Sequence, residues 1–101
     1  MRLENKVAIV TGGGAGLGRS VAIRFAREKA KVVVAEIDKV KGAETVSMIL
    51  SFGGEAIFVE TDVMQEEQVA AMVDKTVFHF GRIDVLHSNA AVQLHGGCAN
   101  S

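Results

Sequence analysis

The sequence contains no tyrosine, tryptophan or proline, a single cysteine, and no apolar run longer than five residues. One cysteine, Cys98, excludes an internal disulfide and a cysteine-rich zinc site, and it fits a reducing compartment. The first apolar run, Val7-Ala8-Ile9-Val10, is four residues long and meets Thr11-Gly12, too short for a signal peptide or a membrane span. Glu4 argues against a transit peptide, which avoids acidic residues. A cytoplasmic protein without membrane contact is the expectation. Charge is nearly balanced, with 11 basic against 12 acidic residues, so nothing electrostatic favours nucleic acid or an anionic membrane.

What is present points to a folded domain. The chain has 101 residues, room for one domain of ordinary size. Apolar residues make up 49%, and glycine raises this to about 60%, above the roughly 45–50% of an average domain. Such a chain buries enough apolar surface to offset its ordering entropy, so disorder is excluded.

Short β-branched runs alternate with segments of helical period. Strands are predicted over 6–10, 31–36, 56–60 and 84–88; the second, Lys-Val-Val-Val-Ala-Glu, is nearly continuous apolar, as for a parallel strand covered on both faces. Between them, three sets recur every three or four positions: Leu17, Val21 and Phe25; Val40, Ala43, Val46 and Leu50, with Ile49 beside them; and Val69, Met72, Val73, Thr76 and Phe80. Each set falls on one helix face able to cover a sheet. Asp38 suits an N-cap, Gly53-Gly54 a stop, and Gly81 a C′ position. The pattern is β-α-β-α-β-α-β, and right-handed crossovers give a parallel sheet of strand order 3-2-1-4. This is an α/β, partial Rossmann fold, half of a doubly wound sheet, with strand 4 at an edge.

The segment Thr11-Gly12-Gly13-Gly14-Ala15-Gly16-Leu17-Gly18 joins the first strand to the first helix. Five glycines in seven residues would be a large entropy loss for a mere turn. Glycine permits positive φ and close approach of backbone N–H groups to a phosphate, and the helix N-terminus adds partial positive charge. The dinucleotide pattern G-x-G-x-x-G matches nowhere in this loop, and a P-loop nearly matches, with Arg19 in place of its lysine. T-G-x-x-x-G-x-G matches without exception. Gly12 and Gly16 suit the turn and the approach to a pyrophosphate, and Gly18 suits close packing of the helix on the sheet.

With this loop the sequence resembles the classical short-chain dehydrogenase/reductase family. Three further motifs agree in order and spacing: Glu36 ending strand 2, 20 residues past Gly16; Thr61-Asp62-Val63 after strand 3; and Ser88-Asn89-Ala90-Ala91 after strand 4. The resemblance runs from residue 3 to about 92, the N-terminal part of a family member. It implies residues 1–91 as the N-terminal half of an NAD-binding Rossmann domain, with 92–101 an irregular tail. It also implies backbone contacts to the cofactor from Gly14 and Leu17, an adenine contact from Asp62 and Val63, and a ribose contact from Asn89. Asp62 as a helix-start carboxylate and Asn89 as a turn-former are the plainer alternatives. A carboxylate at Glu36 accepts from ribose hydroxyls and repels a 2′-phosphate, so NAD is expected over NADP. Ile37 and Gly13-Gly14-Ala15 stand where NADP enzymes of the family often carry basic residues. Lys39 and Lys41 read as solvated residues at a helix start.

The family transfers hydride between nicotinamide and an alcohol or carbonyl substrate, using a Tyr as general acid/base with a Lys four residues later. With no Tyr, this chain carries no candidate catalytic residue. It reads as the cofactor-binding half of such an oxidoreductase, inactive alone, the small substrate being met only by the intact enzyme. A non-catalytic NAD-binding or subunit-interaction module is the alternative, and a P-loop phosphotransfer protein a third reading. Family members usually form dimers or tetramers through later helices, so a homo-oligomer is an expectation for the intact enzyme alone. Lys29 replaces a usual Gly, where a left-handed conformation would cost about 1 kcal/mol. Met64 replaces a usual Ser or Thr cap, a loss of about 0.5–2 kcal/mol. Ala91 replaces the last Gly of its motif. His95 and Cys98 have ligand-like spacing but no second pair, so no metal is expected. His87 reads as a packed or edge residue of strand 4.

Overall fold

The computed structural model describes residues 3–14 and 16–88. Seven elements alternate along them: β1 (Val7–Thr11), α1 (Gly16–Arg27), β2 (Lys31–Glu36), α2 (Lys39–Ser51), β3 (Glu55–Glu60), α3 (Glu66–Phe80) and β4 (Val85–Ser88). All strand pairs are parallel, in the order β3-β2-β1-β4. The expected topology is therefore present, with β1 shifted by one residue at both ends and β3 and β4 each by one residue at their start. Residues 89–101, which include Asn89, Ala91, His95 and Cys98, lie outside the described set.

Alternation along the buried strands sorts side chains to two faces. Ala8, Val10, Val32 and Val34 pack with Ala22, Ala26 and Ile49, so α1 and α2 cover one face. Ile9, Val33, Ala35 and Val59 pack with Met72 of α3 on the other. Each fully buried Val or Ile contributes about 1.5–3 kcal/mol, and β1 and β2 hold most of them.

Two helices are rotated from the face their large residues suggest: Ile49 is buried and Val21, Phe25 and Val46 pack at the edge of the core, while others of those sets turn outward. In α1 the buried residues are Gly18, Ala22 and Ala26, while Leu17 is 67% exposed. In α2 they are Gly42, Thr45 and Ile49, while Val40 is 69% exposed and Leu50 and Ala43 are also outside. The cause is close approach. A methyl on Gly42 would overlap the ring of Phe58, so the helix sits where only a hydrogen fits. The third set is correct: Met72 and Thr76 are buried, with Val69, Val73 and Phe80 packed beside them.

Termini follow local chemistry. The Asp38 carboxylate accepts from the N–H groups of Val40 (3.0 Å) and Lys41 (3.1 Å). Gly53 (φ 88°) and Gly81 (φ 85°) end α2 and α3 in the left-handed region, and Lys29 adopts it too (φ 77°). The N-cap of α3 is Gln65 rather than Met64, and it makes no side-chain capping bond. Asp62 supports that turn instead, accepting from the Met64 N–H at 2.9 Å while its own N–H donates to Gln68 Oε1 at 2.8 Å. His87 packs edge-on to Phe25 from β4, its Nδ1 buried without a partner among the described residues.

The pairing of β4 with β1 starts at a carboxylate. Asp84 Oδ2 accepts from the Val7 N–H at 2.9 Å, Asp84 N–H donates to the Val7 carbonyl at 2.9 Å, and Arg82 reaches Oδ1 at 2.7 Å. The Arg82 hydrogen bond first, and the Val7 N–H second, hold the Asp84 carboxyl below the ordinary aspartate range. The folded group therefore binds its proton more weakly than the unfolded one. Its stabilisation is whole above the unfolded value of about 3.9 and fades as pH falls through the lower folded value. Denaturant unfolding between pH 6 and 2 is expected to show this loss, and Asp84→Asn to show a smaller pH slope with lower stability at pH 6.

Candidate functional site

The carboxyl ends of the four strands form one rim. The Thr11 hydroxyl lies 3.4 Å from the His87 carbonyl oxygen, and the Thr61 N–H donates to the Glu36 carbonyl at 3.1 Å. From β1 the sheet is built in both directions, through β2 to β3 and separately to β4. The crevice outside β1 and β4 is thus a topological switch point, where open parallel sheets bind ligands.

The glycine loop crosses this crevice. Gly12 turns at φ 68°, its N–H donating to the Ala35 carbonyl at 2.8 Å, and Gly16 begins α1 at φ 57°. A methyl on Gly18 would overlap the carbonyl of Gly12, main chain against main chain, so α1 starts directly on the loop. The first-turn N–H groups of a helix have no partner within the helix. In α1 these include the N–H groups of Gly16, Leu17 and Gly18, at the loop end of the crevice.

Glu36 ends β2 half-buried beside the loop. Its Oε1 accepts from the Gly14 N–H at 2.7 Å, and its Oε2 from the Asp38 N–H at 3.1 Å. Two main-chain donors hold the carboxylate at the rim with no cation beside it in these bonds. Asp62 and Val63 follow β3 at the same rim, both partly buried. Asn89 lies outside the described residues, immediately after β4. The structure thus brings Gly12, Gly14, Gly16, Leu17, Gly18 and Glu36 together, with Asp62 and Val63 at the next strand end.

Arg19 does not lean over the loop as a P-loop lysine would. Its guanidinium turns to α2, donating to Thr45 Oγ1 at 2.9 Å, to the Lys41 carbonyl at 3.2 Å and to Glu44 Oε1 at 3.0 Å. Thr45 in turn donates to the Gly13 carbonyl at 2.8 Å. Sequence reasoning missed both contacts. The only available signal was a polar residue in the phase Gly42-Thr45-Ile49, which becomes visible once the buried face is known. Among the described residues, no group of three His, Cys, Asp or Glu side chains could hold a metal ion.

The sequence model of the short chain dehydrogenase family matches residues 6–100. The chain belongs to that family. An uncharacterized oxidoreductase of Thermotoga maritima is 51% identical over 90 residues, which cover 89% of this chain and 35% of that protein. A hydroxysteroid dehydrogenase from Escherichia coli superposes with a TM-score of 0.86 at 38% identity, over 87% of this chain and 37% of that one. A 7α-hydroxysteroid dehydrogenase complexed with NADH and 7-oxo glycochenodeoxycholic acid gives 0.83, again at 38% identity, over 84% and 33%. The chain therefore spans about a third of the length of the relatives it matches. Among the described residues, no helix is long and apolar enough to cross a membrane.

Two glycines of the loop separate backbone strain from steric overlap. Gly16 adopts positive φ with open space around it, whereas Gly18 is in contact. Gly16→Ala is expected to cost about 1 kcal/mol of left-handed strain. Gly18→Ala should cost more, about 1–3 kcal/mol, because main chain must move. Paired urea denaturation curves test the ranking.

Proposed function

We propose that this chain is the cofactor-binding part of an NAD-dependent oxidoreductase that moves hydride between nicotinamide and an alcohol or carbonyl substrate. The observation carrying this reading is the 2.7 Å contact of the Glu36 carboxylate with the Gly14 N–H at the switch-point crevice. It sets an anion-seeking glycine loop and a ribose-seeking carboxylate side by side. The donor set fits the cofactor: methyl groups at Gly14 and Gly18 would meet Glu36 and Gly12, leaving main-chain amides as the lining. When bound, NAD supplies the hydride acceptor. The main-chain amides of Gly16, Leu17 and Gly18 serve the pyrophosphate side, Gly12 makes the turn with its N–H on Ala35, and Gly14, its N–H on Glu36, lies against the ribose. Glu36 orients the adenosine ribose, Asp62 and Val63 meet the adenine, and Asn89 meets a cofactor ribose.

NAD is preferred over NADP on the same argument. A 2′-phosphate beside Glu36 would face a carboxylate, and the neighbouring Ile37, 58% exposed, offers no compensating cation. The proton relay is not supplied by these 101 residues, which contain no tyrosine. The chain by itself therefore binds cofactor without turning it over. Its single cysteine fits a cytoplasmic setting.

Fluorescence titration with NADH and NADPH tests both statements. NADH is expected to bind at least about tenfold more tightly, about 1.4 kcal/mol. Glu36→Gln should weaken NADH binding and bring the two affinities together. Failure to bind either cofactor at millimolar concentration overturns the reading; equal or tighter NADPH binding overturns the preference alone.

A further inference from the structure

We infer that Thr45 of α2, backed by Arg19 of α1, is a positioning residue that locks the peptide between Gly13 and Gly14 in the orientation that holds the Glu36 carboxylate. The inference deepens the proposed function and rests on it for its consequence, though not for its geometry. A trans peptide is one planar unit whose C=O and N–H point opposite ways. Here both ends of one such unit are held by side chains. The Gly13 carbonyl accepts from Thr45 Oγ1 at 2.8 Å, and the Gly14 N–H donates to Glu36 Oε1 at 2.7 Å. Rotating the plane would break both bonds at once. Without them, two consecutive glycines would allow the rotation at small steric cost.

Arg19 fixes which way the Thr45 hydroxyl donates. A threonine hydroxyl has one proton, and two further carbonyls stand within reach, Lys41 at 3.2 Å and Gly14 at 3.5 Å. The Arg19 Nε–H occupies one lone pair of that oxygen at 2.9 Å. The proton then lies on the shortest of the three contacts, to Gly13. Thr45 is fully buried, so water does not compete for the bond. Arg19 is itself tied to Glu44 at 3.0 Å and to the Lys41 carbonyl at 3.2 Å. The helix covering the sheet thereby keeps the Gly14 N–H on the Glu36 carboxylate at the rim, while Thr45 and Arg19 themselves bond only to protein groups.

Loss of the lock leaves a binding-competent loop for only part of the time, and apparent affinity falls by that fraction. The test compares Thr45→Val, which keeps the shape, with Thr45→Ser, which keeps the hydroxyl. NADH is the titrant, and NMR-detected amide exchange at Gly14 is the second readout. Thr45→Val is expected to weaken NADH binding about three- to tenfold and to speed Gly14 exchange at least about fivefold relative to the α3 amides. Thr45→Ser should restore both to within about twofold. Unchanged Gly14 exchange in Thr45→Val, or equal loss in both variants, would overturn the lock, since equal loss means packing alone. Should wild-type protein bind no NADH, the functional reading fails and Gly14 exchange still decides the lock.

Discussion

The crevice depends on main chain meeting main chain. Gly18 at the start of α1 rests against the carbonyl of Gly12 with no room for a methyl group. That approach turns the amide end of α1 onto the loop and sets the start of the helix against the sheet. It also determines which face of α1 is buried, because Ala22 and Ala26 follow Gly18 at four-residue intervals. The large residues of that helix are then left to the flanks and to solvent. One contact between two glycines governs both the placement of the first-turn amides at the crevice and the packing of the first helix.

The second constraint acts from α2. Gly42 approaches Phe58 as Gly18 approaches Gly12, so this helix too lies close to the sheet. Closeness brings Thr45 within reach of the loop, a contact that bulkier packing would have kept apart. Glu36 answers from the other side, held by two backbone N–H groups. A carboxylate with such partners has its orientation set before any ligand arrives, which lowers the ordering cost of binding.

Much of this architecture is legible in the sequence because its signals are local. The run from Lys31 to Glu36 reads as a buried parallel strand, and its bounds are those found. Asp38, Gly53 and Gly81 mark helix ends through capping and positive φ, which neighbouring residues alone determine. The glycine loop and Glu36 are visible by motif and spacing. Helix phase is less legible. Leu17, Val40 and Leu50 look like core residues by hydropathy, yet close packing selects small residues for the sheet face and turns these outward. Thr45 and Arg19 were hidden for the same reason, since a polar partner 26 positions away is revealed only by tertiary approach. The Asp84 bond to Val7, across 77 positions, belongs with them.

That last bond lies at the opposite pole of the sheet from the crevice. β4 pairs with β1 for four residues, from Ala8 with Val85 to Thr11 with Ser88. A slip of one position would exchange the faces of Leu86, now 62% exposed, and His87, now packed on Phe25. It would also raise or lower the end of β4 relative to the rim by about 3.3 Å. Asp84 therefore works as an index mark, and the height of the crevice wall at β4 is a matter of alignment set from the far side of the sheet.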